Sequence, residues 1–365
     1  MSENPSWAWL GLLKWTLAYT DGTTDSNPQE MSAEDKAFLE DVMKNGIINE
    51  GERMREILKE LTVTLEVISN SGDDEEVEID EEQEDRMIEL LAELRDIVEQ
   101  IDYAKSFVNI KGLPFLLGCA SQGTAVPEGV RGACVGVVST LSQNNPPVQQ
   151  ALLDLEAVRV MAEIYFDDAN SSTLQGKVVQ AISCIVRGHA AAEEAFTNDT
   201  ICRMIIERGL RIGESSASPA SLRRRCLFFL RALVCSDHTS RERVRMFKES
   251  IKNAVAFLDV EQEMDDDIRQ NALDLLLQIM QQRKSVDCIM EEKNRILSVG
   301  VPRVAALRAL PDGSEEKEFS EMELESWEGL IVELAKGLVD VEEAEPPMLL
   351  LEGRPPDDNG ANLPQ

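Results

Sequence analysis

Apolar and polar positions follow a helical rather than a strand period along much of this chain. Four segments, VRGACVGVVSTL (130–141), LQGKVVQAISCI (174–185), LRRRCLFFLRAL (222–233) and IRQNALDLLLQI (268–279), carry apolar or small residues at the first, fifth, sixth, eighth, ninth and twelfth positions. That spacing lines one face of an α-helix and leaves the other polar. The starts lie 44, 48 and 46 residues apart, and a weaker copy, MIELLAELRDIV (87–98), begins 43 residues before the first. Between the copies recur shorter aliphatic segments that begin at Leu113, Val158, Ile201, Ala254 and Val301. The pattern predicts helix hairpin after helix hairpin. Its period suits armadillo and HEAT units of two or three helices and exceeds the roughly 34-residue tetratricopeptide and 33-residue ankyrin repeats. The expected fold is all-α: an armadillo-like helical repeat solenoid of about four repeats plus flanking capping helices. Each unit alone leaves one apolar face bare, and stacking buries it.

Outside the repeats the pattern changes. Residues 1–20 form a Trp-rich segment, 21–35 a polar linker, 36–68 one or two N-terminal capping helices, and 69–85 an acidic loop containing DDEEVEIDEEQED. The repeats are expected over 86–310 and a C-terminal helix over 311–340. A disordered Pro-rich tail is expected over 341–365.

Composition agrees with a folded helical chain: 43% of its 365 residues are hydrophobic and only 5% aromatic. The formal charge of −32 repels phosphate and anionic lipid, which argues against nucleic acid or membrane as main partner. That charge is uneven, however, because residues 203–252 hold twelve Arg or Lys against five acids. A basic island in an acidic chain predicts an acidic partner. Seven cysteines without a CxxC pair, mostly within apolar runs, read as buried reduced thiols. The opening stretch has an acidic lead, Lys14 interrupts it, and no small-residue cleavage site follows, so it is not expected to be a signal peptide. The tail shows no retrieval or lipidation signal, and no apolar run reaches membrane-spanning length. A cytoplasmic monomer, with possible access to the nucleus, is expected.

Enzyme chemistry finds no footing. The two histidines, His189 and His238, belong to no HExxH and stand near no cysteine pair, and are read as loop residues after inner helices. Neither GxxxxGK nor GxSxG occurs. The acidic run 259–267 lacks the turn glycine and final Glu of an EF-hand, with Met264 and Gln270 in those places. No catalytic residue, cofactor or metal is expected.

Function is therefore sought on the inner face, where polar positions between the apolar stripes meet a partner. These are Gln143, Asn144 and Asn145, then Arg187, then Arg223, Arg224, Arg225 and Arg231. Arginine forks suit bidentate pairing with carboxylates; the alternative is a solvated helix face beside acidic loops. The apolar opening, with Trp7, Trp9, Leu12, Leu13, Trp15 and Leu17, needs a partner within the protein or elsewhere.

Several stretches carry a family likeness: GLLKWTLAYTDGT near the start, MSAEDKAFLEDVM after the linker, VEQIDYAKSF, VVSTLSQNNPPVQ and ISCIVRGHAAAEEAF. Over roughly 8–300 the chain resembles the Fes/HspBP family of cytosolic nucleotide exchange factors for the 70-kilodalton heat-shock chaperone. The resemblance implies an armadillo-type co-chaperone, not an enzyme, whose concave face embraces the chaperone's ATPase domain so that ADP leaves. It implies contacts at Ala104, a small residue allowing close approach, and at Arg225, with Asp102, Asn144, Arg187 and Arg224 beside them. It also gives the segment with Trp7, Trp9 and Trp15 a role in client release, with the chaperone's peptide-binding domain as its possible partner. The acidic run 73–85, the doubled Pro146–Pro147 and the region after about 285 depart from the family pattern. A generic armadillo scaffold that binds an extended peptide is the alternative, disfavoured by a short stack with no Trp on its inner helices.

Overall fold

The computed structural model describes residues 49–70, 79–212 and 218–336. The segment 1–20, the linker 21–35 and the tail 341–365 lie outside them. The described residues form helices joined by short turns, with no strand among them, in agreement with the expected all-α class. Two helices, α1 (Glu50–Asn70) and α2 (Glu81–Val98), come first. Helices then arrive in threes: α3 (Ile101–Asn109), α4 (Gly112–Ala120) and α5 (Glu128–Ser142); α6 (Pro146–Asp154), α7 (Ala157–Phe166) and α8 (Ser172–Val186); α9 (Ala190–Asn198), α10 (Thr200–Gly209) and α11 (Ala220–Val234). Two further triplets are α12 (Arg241–Met246), α13 (Lys248–Ala256) and α14 (Asp266–Gln282), then α15 (Asp287–Met290), α16 (Lys293–Arg308) and α17 (Glu315–Lys336).

The four repeated segments fall on the third helices α5, α8, α11 and α14, and all six stripe positions of each are buried. The shorter aliphatic segments fall on the second helices. What periodicity does not separate is the first helix of each triplet, nine residues or fewer and too short to repeat its own stripe. Junction chemistry marks it instead. Lys111 (φ 60°) and Glu156 (φ 52°) take the left-handed region just before α4 and α7, turning the chain at a single residue. Asn144 (φ 52°) and Gly188 (φ 73°) do the same between one triplet and the next. Pro146 then opens α6, where the missing N–H costs nothing. Of the third helices, α8 and α14 start on side-chain caps at Ser171 and Asp265, each accepting from a backbone N–H three residues on, while prolines stand at the caps of α5 and α11.

One boundary and one grouping differ from the sequence expectation. Helix α2 starts at Glu81, inside the stretch read as an acidic loop over 69–85, because Asp80 and Gln83 close a reciprocal capping box and the acids that follow favour a helix N-terminus. At the other end α17 packs against α14 and α16 as the third helix of its triplet, with Trp327, Leu330 and Leu334 buried.

The chain divides into two units. The first comprises Met1–Gly209 and Ser221–Phe229, the second Leu210–Ala220 and Leu230–Gln365. In the first, α2 packs along α5 and α5 along α8. Polar pins supplement the apolar core there. Buried Gln149 donates from Nε2 to the carbonyls of Cys184 and Arg187 at 2.9 Å each, closing the C-terminus of α8. Buried Arg131 donates to Asn170, whose own amide donates to the Ile164 carbonyl at 2.8 Å. In the second unit Phe247, Phe257 and Trp327 anchor the core.

Candidate functional site

Because the stripe buries one side of each third helix, the intervening positions form the open face. Aligning α5, α8 and α11 by their stripes places Ala133, Lys177 and Arg225 in one row and Gly136, Gln180 and Phe228 in the next. All six are at least partly accessible. Lys177, Gln180 and Arg187 follow one another along α8 and the turn after it, as Arg225 and Phe228 do along α11.

The two cations of the row are seated alike. A Cβ added to Gly132 would lie 2.9 Å from Nζ of Lys177, and one added to Gly176 would overlap Nη1 of Arg225, with Cζ at 3.5 Å. Each basic side chain thus lies back across the preceding third helix, over a glycine at the third position of that copy. Among the described residues neither Lys177 nor Arg225 has a hydrogen-bond or ion-pair partner. Their donors lie in the room each glycine leaves and remain available.

Arg187 completes the group. Its guanidinium carbon lies 4.8 Å from the centroid of the Phe228 ring, and Phe228 is 52% exposed. An arginine fork stacked on an accessible aromatic face combines charge with apolar area, the pairing that protein interfaces concentrate. Arg231 is different: its Nε donates to Oε1 of Gln278 at 2.9 Å. Arg223 and Arg224 are likewise engaged within the chain, Arg224 at an exposed position of α11.

Burial pushes the thiols of Cys226 and Cys202 up to about 12. Cys235 rises to about 11 for the same reason. His189 accepts from the Ala192 N–H as the cap of α9, while His238 is exposed. Among the described residues no group of three His, Cys, Asp or Glu is arranged to hold a metal ion, and no helix is long and apolar enough to cross a membrane.

Comparison with known proteins adds a family resemblance to this geometry. A family model described as nucleotide exchange factor Fes1 matches residues 10–107. Hsp70-binding protein 1 of Rattus norvegicus is 27% identical over 181 residues, which are 50% of this chain and 49% of that protein. The Homo sapiens protein of the same name is 28% identical over the same lengths. The chain thus resembles the Fes1 family over residues 10–107 and Hsp70-binding protein 1 over half of its length. It spans about half the length of the curated relatives it matches. Among solved structures, a designed armadillo repeat protein aligns with a TM-score of 0.52 at 14% identity, covering 78% of this chain and 99% of that one. An engineered protein aligns at 0.53 and 14%, covering 78% and 97%. At such identity these likenesses speak for the fold alone, and that fold is armadillo-like.

The Fes1 match ends in α3, and two of the residues suggested by the family likeness lie there. Asp102 is exposed, its carboxylate 3.7 Å from Lys105 one turn on. Ala104 is 1% exposed. It belongs to the buried face of a first helix, with Phe107 one turn away, and not to the third-helix face that carries Arg225. A bulky side chain there would meet the core before it met a partner. Asn144 is exposed at the left-handed turn between α5 and α6, the counterpart of Gly188 beside Arg187. The structure therefore groups Arg187 and Arg225 by sharing α8 and α11, and leaves Asp102, Ala104 and Asn144 elsewhere. Trp7, Trp9, Leu12, Leu13, Trp15 and Leu17 lie outside the described residues. Sequence reasoning missed Lys177, Gln180 and Phe228. Lys177 could have been found as the residue that stands at the alignment position of Arg225, and Phe228 as a large apolar residue off the stripe.

Proposed function

We propose that this chain is a co-chaperone that binds the ATPase domain of the 70-kilodalton heat-shock chaperone and promotes release of ADP. The Fes1 match over residues 10–107 carries the reading. The open face of α8 and α11 supplies surface chemistry suited to it: Lys177, Arg187 and Arg225 offer fixed cationic donors beside Phe228 in a chain of net charge −32. Such a face selects a carboxylate-bearing partner surface and rejects basic ones. The activity needs no covalent step. Binding a nucleotide-free conformation of the ATPase domain more tightly than the ADP-bound one lowers affinity for ADP by the same factor. The protein is then a binding partner rather than an enzyme, acting in the cytosol and, by diffusion, in the nucleus. The segment with Trp7, Trp9, Leu12, Leu13, Trp15 and Leu17 would act separately on client release.

The test is release of a fluorescent ADP analogue from the purified chaperone with and without this protein. Acceleration by the native chain and its loss in Arg225→Glu is expected, with an unchanged circular dichroism spectrum. Deleting residues 1–20 should spare ADP release and slow client release. Absence of acceleration, with recovery of extended-peptide partners in place of the chaperone, would restore the generic scaffold.

A further inference from the structure

We propose that a groove in the second unit, framed by α14, α16 and α17, is a docking site for a basic, amphipathic segment of another protein. The groove encloses about 1000 Å³, at the upper end of the size usual for ligand sites. Apolar residues line part of it. Leu258, Leu273 and Trp327 are buried at the floor, while Val260 at 61% and Met322 at 71% exposure stand in the walls. Two such residues held open to water on one cleft are what a helix-in-groove interface uses as anchors.

The rim fixes the chemistry of the occupant. Six carboxylates line the groove, from Asp259, Glu261, Asp266, Asp267, Glu316 and Glu323, against two guanidiniums. Both guanidiniums are spoken for. Arg303 makes a two-pronged pair with Glu323, at 2.7 Å for each bond, and Arg269 pairs with Asp266 while donating to the Glu263 carbonyl at 2.7 Å. An apolar floor under a net negative rim fits side chains that alternate aliphatic and cationic on a helix face. Phosphate and anionic lipid are repelled.

The chain cannot supply that occupant from its own remaining segments. Residues 1–48 carry eight acids and three lysines, 71–78 five acids and no base, and 337–365 seven acids and one arginine. Taken whole, each is net acidic and would bring like charge to a negative rim; residues 4–20 hold a single charge, Lys14, too little for a rim of six carboxylates, so the partner comes from outside. This site shares no residue with the α8 and α11 face, and its test is independent of chaperone activity.

The probe is a fluorescein-labelled Leu/Lys amphipathic helical peptide, with a Leu/Glu peptide of the same pattern as control, followed by fluorescence anisotropy with the full chain. Because the whole protein is acidic, the deciding comparison is between variants. Met322→Glu and the pair Glu261→Lys with Glu316→Lys, all at exposed positions, are expected to weaken Leu/Lys binding about tenfold or more. The pair Asp96→Lys on α2 with Glu99→Lys at its C-cap removes equal charge elsewhere and is expected to change it less than about twofold. Equal weakening by both pairs, or no binding of the Leu/Lys peptide to the native chain, overturns the proposal. So does a dimer in sedimentation that Met322→Glu dissolves, which would make a second copy the occupant.

Discussion

The seat of Arg225 over Gly176 allows the open face to be perturbed without touching its charge. In Gly176→Ala the new methyl overlaps Nη1 of Arg225 and must drive the guanidinium back by about 1 Å to regain ordinary van der Waals contact. The obstructing atom is the far end of a flexible side chain, so the fold bears little cost. Replacing a mid-helix glycine by alanine also stabilises by about 0.5–1 kcal/mol through lower backbone entropy in the unfolded chain. The variant should therefore melt at or slightly above the native temperature. Its partner affinity should fall. A hydrogen bond to a charged group contributes about 1.5–3 kcal/mol, and a fork displaced by about 1 Å forfeits much of a two-pronged bond. That corresponds to a loss of about ten- to a hundredfold in affinity for the proposed partner, the chaperone's ATPase domain, measured by titration calorimetry and by the ADP-release rate. Arg225→Ala should match that loss, and combining it with Gly176→Ala should add nothing further, since both act on one contact. Full affinity in Gly176→Ala, or additive losses in the double variant, would refute the view that this glycine exists to seat the arginine.

Other predictions concern the framework. In Gly300→Ala the new Cβ would stand 2.6 Å from the buried Trp327 ring, which unlike an arginine tip cannot retreat, so a destabilisation of about 1–3 kcal/mol is expected in urea unfolding. The thiols of Cys202, Cys226 and Cys235, raised by burial, should react with a disulfide reagent at neutral pH far more slowly in native than in unfolded protein; rapid native labelling would contradict it. The carboxyl of Glu128 is held below its usual 4.5 first by the Ser171 hydroxyl and then by the Ser171 backbone N–H. Its stabilising contribution is accordingly complete above about pH 4.5 and lost as pH falls through the lower native value. Native protein and Glu128→Gln should differ in stability at pH 7 and converge in acid; a constant gap would exclude the linkage.

What the chain declares openly is its third helices. The stripe at 130–141, 174–185, 222–233 and 268–279 is long enough to repeat its own period, and every stripe position proves buried. The first helices stay hidden because PPVQQALLD or AAAEEAFTN covers little more than two turns, and their limits are set by single left-handed residues such as Lys111 and Glu156, types not specialised for that conformation. The site was legible where residue type alone suffices: Arg187 and Arg225 stand out as cations on an inner face. It was illegible where the answer depends on depth. Ala104 looks like a small residue that permits close approach, and burial in α3 gives its smallness a different cause, the packing of a first helix. Lys177 reads as one more lysine until it is aligned with Arg225 and each is found over a glycine one helix back. A third position of glycine followed one repeat later by a fourth position of cation is a pattern between copies, invisible within either copy. The α11 copy has Arg224 where Gly132 and Gly176 stand in its predecessors, and the following copy has Asn271 where Lys177 and Arg225 stand. The device therefore stops where the seat is lost, which confines the fixed cationic donors to α8 and α11 and makes a row of two, rather than a ladder along every repeat.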